Sequence, residues 1–284
     1  MDTKFGLRHE KLGDRQWLYQ KYWEEKLSLN EIGVIVGCKH SSVRHALVRS
    51  GIQIRTRGEG LRNARRGGDD WFVLDRSMVE GCLLGDGGLV RENKYSGDSF
   101  PFFSVATVHY DHAMWMGKQL FSQSPELRVK ERYGGGFGGG SIFRVNTNVH
   151  TELMDLYQQW YPEENGFGKI VPPSLVVDEK VLLHWFLGDG YTYFVNRPKC
   201  KTTRRVRVQF ATQSFSLSDL NLLCEKVKDK FGLVMKPRFH RRHGVVKGTG
   251  YYVELSEAKN EAAKFYEIIG PPPVASLAYK WKIR

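Results

Sequence analysis

Cysteine is scarce in this chain of 284 residues: Cys38, Cys82, Cys200 and Cys224 are scattered, and no two form a C-x-x-C pair. That spacing excludes a disulfide scaffold and a zinc ribbon, and reduced thiols are expected. His109-x-x-His112 and His240-x-x-His243 have ligand-like spacing but no cysteine partners, so they read as basic or hairpin histidines and no zinc is assigned. Long apolar runs are also missing. None approaches the ~20 residues of a membrane span, and no apolar core opens the N-terminus as in a signal peptide; a soluble, intracellular protein is expected. Acids, too, are outnumbered. Against 43 Lys and Arg stand 31 Asp and Glu, a net charge of +12, which favours a polyanionic partner and above all nucleic acid. A solvated basic surface with no partner is the plainer alternative. Core-forming residues are plentiful: 41% hydrophobic and 13% aromatic residues suffice for two or three folding units.

Two segments read almost alike. Val79-Glu80-Gly81-Cys82-Leu83-Leu84-Gly85-Asp86-Gly87 and Leu182-Leu183-His184-Trp185-Phe186-Leu187-Gly188-Asp189-Gly190 are apolar, helix-like runs ending in Leu-Gly-Asp-Gly, with the aspartates 103 positions apart. An internal repeat that delivers one carboxylate from each half accounts for the pair. Paired carboxylates on paired helices point to a metal-dependent active site between two half-domains.

The amino-terminal third is helical and basic. Trp17, Leu18, Tyr22 and Leu27 recur at helical spacing behind Asp14, a capping residue. Ser28 and Glu31 form a capping-box pattern for a second helix, and Gly37 stops it. A third helix runs from Ser41 to Gly51. With Ile32, Ile35, Val43 and Leu47 inward, the three resemble a helix-turn-helix module over residues 1–57, whose third helix would present Ser41, Ser42, Arg44, His45 and Arg49 to the major groove. An ordinary three-helix bundle with a basic face is the alternative. The segment that follows shifts the balance toward DNA: Arg55, Arg57, Arg62, Arg65 and Arg66 stand against one acid, Glu59, among glycines. A basic, extended linker over 58–70 suits phosphates or a minor groove.

From Trp71 onward, helical and alternating patterns succeed one another twice in the order αββαββα. The expected fold is α+β: two pseudo-symmetric half-domains, 71–165 and 166–284, each a four-stranded antiparallel sheet with helices on one face. The first motif helix is expected to run to Asp86. Alternation also assigns the other face of each sheet. Val206, Val208 and Phe210 fall on one side of a strand and Arg205, Arg207 and Gln209 on the other; Lys236, Arg238, His240 and Arg242 share a face in a later strand. In the first half Arg128, Lys130 and Arg132 alternate with Leu127 and Val129, and Arg144, Asn146 and Asn148 with Phe143 and Val145. A merely solvated sheet face mixes acids with bases. These faces carry almost none, and their side chains are the ones that pair with base edges and phosphate.

With these motifs in hand, the chain resembles the LAGLIDADG homing endonucleases over Trp71 to Arg284. Gly81, Gly85, Asp86 and Gly87 match the first motif copy, and Gly188, Asp189 and Gly190 the second. Leu84 and Leu187 occupy an often acidic position, and His184 stands where the family usually has glycine. The resemblance implies that the motif helices pack side by side at the domain interface and that Asp86 and Asp189, with backbone oxygens of Gly85 and Gly188, hold Mg²⁺ or Mn²⁺. It implies active-site lysines at Lys169 and Lys280, which would stabilise anionic charge or orient solvent, and a water-positioning polar residue at Gln213, opposite Val108 in the other half. No organic cofactor is implied. The glycine-rich stretch 134–140 formally contains G-x-G-x-x-G but opens no helix, so it reads as a hairpin tip rather than a nucleotide site.

The sequence therefore leads to a monomeric, metal-dependent, site-specific endonuclease of double-stranded DNA, of the homing type, with a helix-turn-helix module lengthening its target. The alternatives are a maturase-like protein that binds intron RNA and assists splicing, and a non-cleaving DNA-binding regulator on the same scaffold.

Overall fold

A computed structural model describes residues 11–25, 27–55, 73–91, 99–121, 129–133, 140–147, 149–150, 152–196, 204–239, 250–256 and 261–281. The chain divides into two compact units: one comprises Met1–Asp70 with Glu92–Phe100, the other Trp71–Arg91 with Pro101–Arg284.

In the first unit, α1 (Arg15–Tyr19) starts at Asp14, whose carboxylate accepts from the Gln16 and Trp17 amides, and continues into a π-helical turn over Gln20–Glu24. Helix α2 (Leu29–Val36) opens with the capping box of Ser28 and Glu31 and closes at Gly37, where φ of +69° favours glycine. Helix α3 (His40–Arg49) follows after a tight turn: a Cβ on Gly33 would lie 2.6 Å from the Cys38 carbonyl oxygen. Leu18, Tyr22, Ile32, Val43, Ala46, Leu47 and Ile52 form a small separate core. Ile35, assigned inward from its spacing, is half exposed instead, because Ile32 and Val36 supply the buried stripe of α2.

The second unit repeats one arrangement twice. The first half consists of α4 (Arg76–Leu84), β1 (Gly88–Val90), β2 (Phe102–Thr107), α5 (Tyr110–Leu120), β3 (Val129–Tyr133), β4 (Ser141–Asn146) and α6 (Leu153–Trp160). The second consists of α7 (Glu179–Asp189), β5 (Gly190–Asn196), β6 (Arg204–Ala211), α8 (Leu217–Phe231), β7 (Met235–Phe239), β8 (Tyr251–Leu255) and α9 (Glu261–Ile269), followed by a 3₁₀ turn over Ala275–Lys280. The sheets are antiparallel, with strand orders β1-β2-β4-β3 and β5-β6-β8-β7.

Strand alternation divides each sheet as expected. Phe103, Val105 and Val145 in one, and Val208, Phe210, Val253 and Leu255 in the other, join the helices in one continuous core. Helices α4 and α7 lie inside that core. All residues from Met78 to Leu84 are buried, so beyond its exposed start at Arg76 helix α4 has no solvated face, as befits a helix at the centre of a domain. It ends earlier than expected, at Leu84. Gly85 leaves helical geometry (φ −113°, ψ −132°), and the Gly87 amide turns back to the Cys82 carbonyl at 2.8 Å, so Asp86 lies just beyond the helix whereas Asp189 ends α7.

Candidate active site and nucleic-acid face

The site is built at the crossing of α4 and α7. Each helix starts at an aspartate cap: Asp75 accepts from the Met78 amide at 3.1 Å and Asp178 from the Val181 amide at 2.7 Å. The second carboxylate oxygen of each crosses to the other helix, Asp75 to Lys180 Nζ at 2.6 Å and Asp178 to Ser77 Oγ at 2.5 Å. These reciprocal links fix the helices in register at the end remote from Asp86 and Asp189.

Midway, the helices approach closely because Gly81 lacks a side chain. A Cβ there would lie 2.6 Å from the Val181 carbonyl oxygen and 2.7 Å from His184 Cβ. His184 is the repeat counterpart of Gly81, so a glycine in one copy makes room for the Cβ of a histidine in the other. The ring stacks on Trp115 (centroids 5.1 Å apart), and its Nδ1 lies 3.7 Å from Cys82 Sγ. Burial pushes its pKa down to about 3, so it packs as a neutral ring.

At the far end the backbones nearly touch. A Cβ on Gly85 would meet the Asp189 amide nitrogen and Gly188 Cα, each at 3.4 Å; one on Gly188 would meet the Asp86 amide nitrogen at 3.2 Å. Asp86 and Asp189 therefore emerge side by side. Burial first, and the Asp86 charge second, push the Asp189 carboxyl up to about 7, with Lys169 and Lys280 partly opposing. A carboxylate pair in this state is electrostatically prepared for a cation.

The two lysines occupy equivalent places. Lys169 Nζ donates to the carbonyls of Leu83 (2.8 Å), Gly85 (3.3 Å) and Gly87 (3.1 Å). Lys280 Nζ is within bonding distance of Phe186 (3.2 Å), Leu187 (2.7 Å), Gly188 (3.0 Å) and Gly190 (2.8 Å) oxygens. An ammonium has three donors, and these carbonyls take them all. Each lysine thus caps the C-terminal end of a motif helix as a fixed positive charge. Burial lowers the Lys169 pKa and pulls that of Lys280 down to about 8. Gly85 and Gly188 carbonyls, expected as metal ligands, already accept from these lysines and retain a second lone pair.

Each lysine-bearing segment is also tied down by an aspartate, on α5 or on α8. Asp111, at the start of α5, accepts from the Ser276 amide (3.2 Å) and hydroxyl (2.5 Å), four residues before Lys280. Asp219 in α8 accepts from the Val171 amide at 3.4 Å, two residues after Lys169. Neither aspartate stands out in the sequence, because the partners are 165 and 48 positions away. Beside Asp86 opens a cavity of about 350 Å³ lined in part by His109, His112 and His184. Gln213 is exposed at the end of β6, against Gly250, and makes no hydrogen bond to either aspartate among the described residues.

The open faces of the sheets carry the expected basic side chains. Lys130 and Arg144 stand opposite each other in β3 and β4, with Arg132 and Asn146 on the same face. Arg207 shares a face with Tyr193 and Glu254 in the second sheet; Lys236 and Arg238 project from β7, and Arg205 lies on β6 in register with Val195. Gln209 departs from expectation: it is on the open face but only 8% exposed, in register between Tyr191 and Glu254, and is not a ready base contact. In the N-terminal unit Ser41, Ser42, Arg44, His45 and Arg49 are exposed along α3. Arg55 is not. It is 7% exposed, lies 3.8 Å from the Tyr22 ring centroid and donates to the Leu27 carbonyl, so it closes the small core rather than following DNA. Arg57, Arg62, Arg65, Arg66, Arg128, Asn148, His240 and Arg242 lie outside the described residues.

Two αββαββα halves whose motif helices cross at a pair of aspartates define a class. The chain belongs to the LAGLIDADG DNA endonuclease family, whose family model matches residues 76–259. Its fold is that of the homing endonuclease I-WcaI, solved bound to its DNA recognition sequence: the TM-score is 0.60 at 16% sequence identity, covering 82% of this chain and 96% of that one. An uncharacterized protein of Methanocaldococcus jannaschii, MJ1098, is 25% identical over 288 residues, covering 94% of both chains. Among the described residues no helix is long and apolar enough to cross a membrane.

Proposed function

We propose that this protein is a site-specific endonuclease of the homing type, which makes metal-dependent double-strand breaks in a long DNA target and acts as a monomer. The carrying observation is the meeting of Asp86 and Asp189, one from each half, with Asp189 pushed up to about 7. Both halves of the site come from one chain, so no second copy is needed to complete it.

The residues fit a hard divalent cation such as Mg²⁺ or Mn²⁺. Carboxylates and backbone carbonyls are the oxygen donors such ions prefer. No three His, Cys, Asp or Glu side chains converge into a cation site among the described residues; Asp86 and Asp189 would hold the ion together with the Gly85 and Gly188 carbonyls, water and oxygens of the substrate. Bound there, the ion would neutralise charge growing on the phosphoryl oxygens and acidify water. The chain's own residues do the rest. Lys169 and Lys280 offset the negative helix ends where a phosphate must approach, and the helix crossing fixes the spacing of the two carboxylates. The basic sheet faces and the exposed face of α3 supply contacts to bases and phosphates. The shared fold of I-WcaI, described on its DNA recognition sequence, supports the same use of these sheets.

The test is cleavage of a random-site duplex library in Mg²⁺ or Mn²⁺, with sequencing of the cut ends. Recovery of one long preferred sequence supports the reading; no cleavage of any duplex under these conditions overturns it. Cation binding should depend on pH in a defined sense. Below about 7 the Asp189 carboxyl carries a proton that the cation must displace, so affinity falls by up to about tenfold for each unit of pH lowered. Thermal shifts with Mg²⁺ at about pH 5.5 and pH 8 measure this, and equal shifts at both would remove Asp189 from the site. Deleting residues 1–57 is expected to shorten the protected footprint at one end and weaken binding while leaving the cut position unchanged. An unchanged footprint would show that the helical unit serves something other than this DNA.

A further inference from the structure

Among the described residues one acid stands on the open face of the second sheet. In β8, Val253 and Leu255 join the core, so alternation turns Glu254 the other way, in register with Gln209 of β6 and Lys236 of β7. On that open face Glu254 is nevertheless only 6% exposed. Its cover is made of side chains. Arg207 Nη1 donates to Oε1 at 3.1 Å, the Tyr193 hydroxyl donates to the same oxygen at 3.2 Å, and Arg238 Nε lies 3.6 Å from Oε2. Two guanidiniums and a phenol from three strands converge on one carboxylate.

Electrostatics alone gives no reason for this acid on a surface that holds DNA. A carboxylate beneath the duplex repels phosphate and removes one unit of charge from the binding face. Base reading gives one. An arginine contacts a guanine edge through two parallel hydrogen bonds that require the guanidinium plane to be aligned. A long side chain free to rotate loses that freedom on binding, whereas one already held by a carboxylate does not. A phosphate contact imposes no such need, since an ammonium or a mobile arginine serves it. The two sheets differ here. Lys130, Arg132, Arg144 and Asn146 share the open face of the first, and among its described residues no acid lies on that face; Glu131 pairs with Phe143 on the opposite side.

We propose that Glu254 is a specificity-determining positioning residue: it clamps Arg207 and Arg238 on the second sheet so that they discriminate bases instead of gripping backbone. The inference rests on the DNA-cleaving reading above and assigns the site's selectivity to a residue that need not touch DNA itself.

The experiment compares the full-length wild type with E254Q, which keeps the shape and an acceptor oxygen but removes the charge. Binding without divalent cation, and cleavage with Mg²⁺, are measured over every single-base variant of the preferred target at several salt concentrations. E254Q is expected to lose about tenfold in discrimination at one or two adjacent base pairs and to keep wild-type discrimination elsewhere. It should bind non-cognate duplex more tightly, with the salt slope steeper by about one, because an anion has left the interface. A purely structural glutamate would instead lower affinity for every target in step with the melting temperature. R207K supplies the second arm: it keeps the charge and loses the fork, and should relax the same base pairs as E254Q. An unchanged preference profile for E254Q, a uniform loss of affinity, or relaxation at different positions by the two variants would overturn the clamp. If the wild type itself selects no duplex sequence, the proposed function fails and not this inference alone.

Discussion

Asp86→Asn and Asp189→Asn should each abolish double-strand cleavage, by roughly a thousandfold or more, equivalent to ~4 kcal/mol of lost transition-state stabilisation. Asparagine matches aspartate in shape, so the crossing of the motif helices is preserved, but it lacks the charge that holds a divalent cation. DNA binding should be retained or slightly strengthened, because each substitution removes repulsion with phosphate. Asp189→Asn should also raise the melting temperature in the absence of divalent cation at pH 8. The wild-type carboxyl is pushed up to about 7 by burial and by its neighbour, so above that pH the folded protein carries a carboxylate less favourable there than in the unfolded chain. Near-normal cleavage by either variant in Mg²⁺ would take that aspartate out of the metal site.

The second large effect is expected at Gly81. A methyl group there would meet the Val181 carbonyl oxygen at 2.6 Å, a distance that real side chains do not tolerate. Because the obstacle is backbone inside a continuous core, the helices must separate. Gly81→Ala should cost about 1–3 kcal/mol by the ordinary cost of overpacking, and Gly81→Val more. Separation also moves Asp86 away from Asp189, so cleavage should fall further than stability alone explains. Combining Gly81→Ala with His184→Gly should not restore either property, since the Val181 oxygen remains in place. Melting curves and single-turnover cleavage measure the two effects; a stable, active Gly81→Ala variant would show that the helices do not cross as described.

The histidine opposite Gly81 illustrates what can and cannot be read from a chain. In sequence, His184 looks like a departure from a glycine-requiring motif. In three dimensions it occupies the space that Gly81 vacates, with its ring on Trp115. A close crossing needs a small residue on one of the facing helices at that level, not on both. Arg55 shows the reverse error. Within an arginine-rich segment it reads as a DNA contact, but Tyr22, 33 positions earlier, supplies the ring and hydroxyl that receive it. Glu254 did not stand out in the sequence: only the register of four strands reveals that Arg207, Arg238 and Tyr193 meet there.

Sequence alone determined what depends on near neighbours and on repetition. Asp14, Ser28 with Glu31, and Gly37 mark helix ends because capping groups act within one turn. The αββαββα order follows from hydrophobic period, and the duplication follows from two copies of Leu-Gly-Asp-Gly. These were enough to identify the family and the pair of acids. Only the tertiary structure decided how the groups are used. It buried Asp189 and set it beside Asp86, so that its carboxyl rises to about 7, committed the donors of Lys169 and Lys280 to the ends of the motif helices, and joined Asp111 to Ser276 across the halves. Burial, charge coupling and donor occupancy depend on distances through space, and chain segments more than 80 residues apart meet there only in the folded chain.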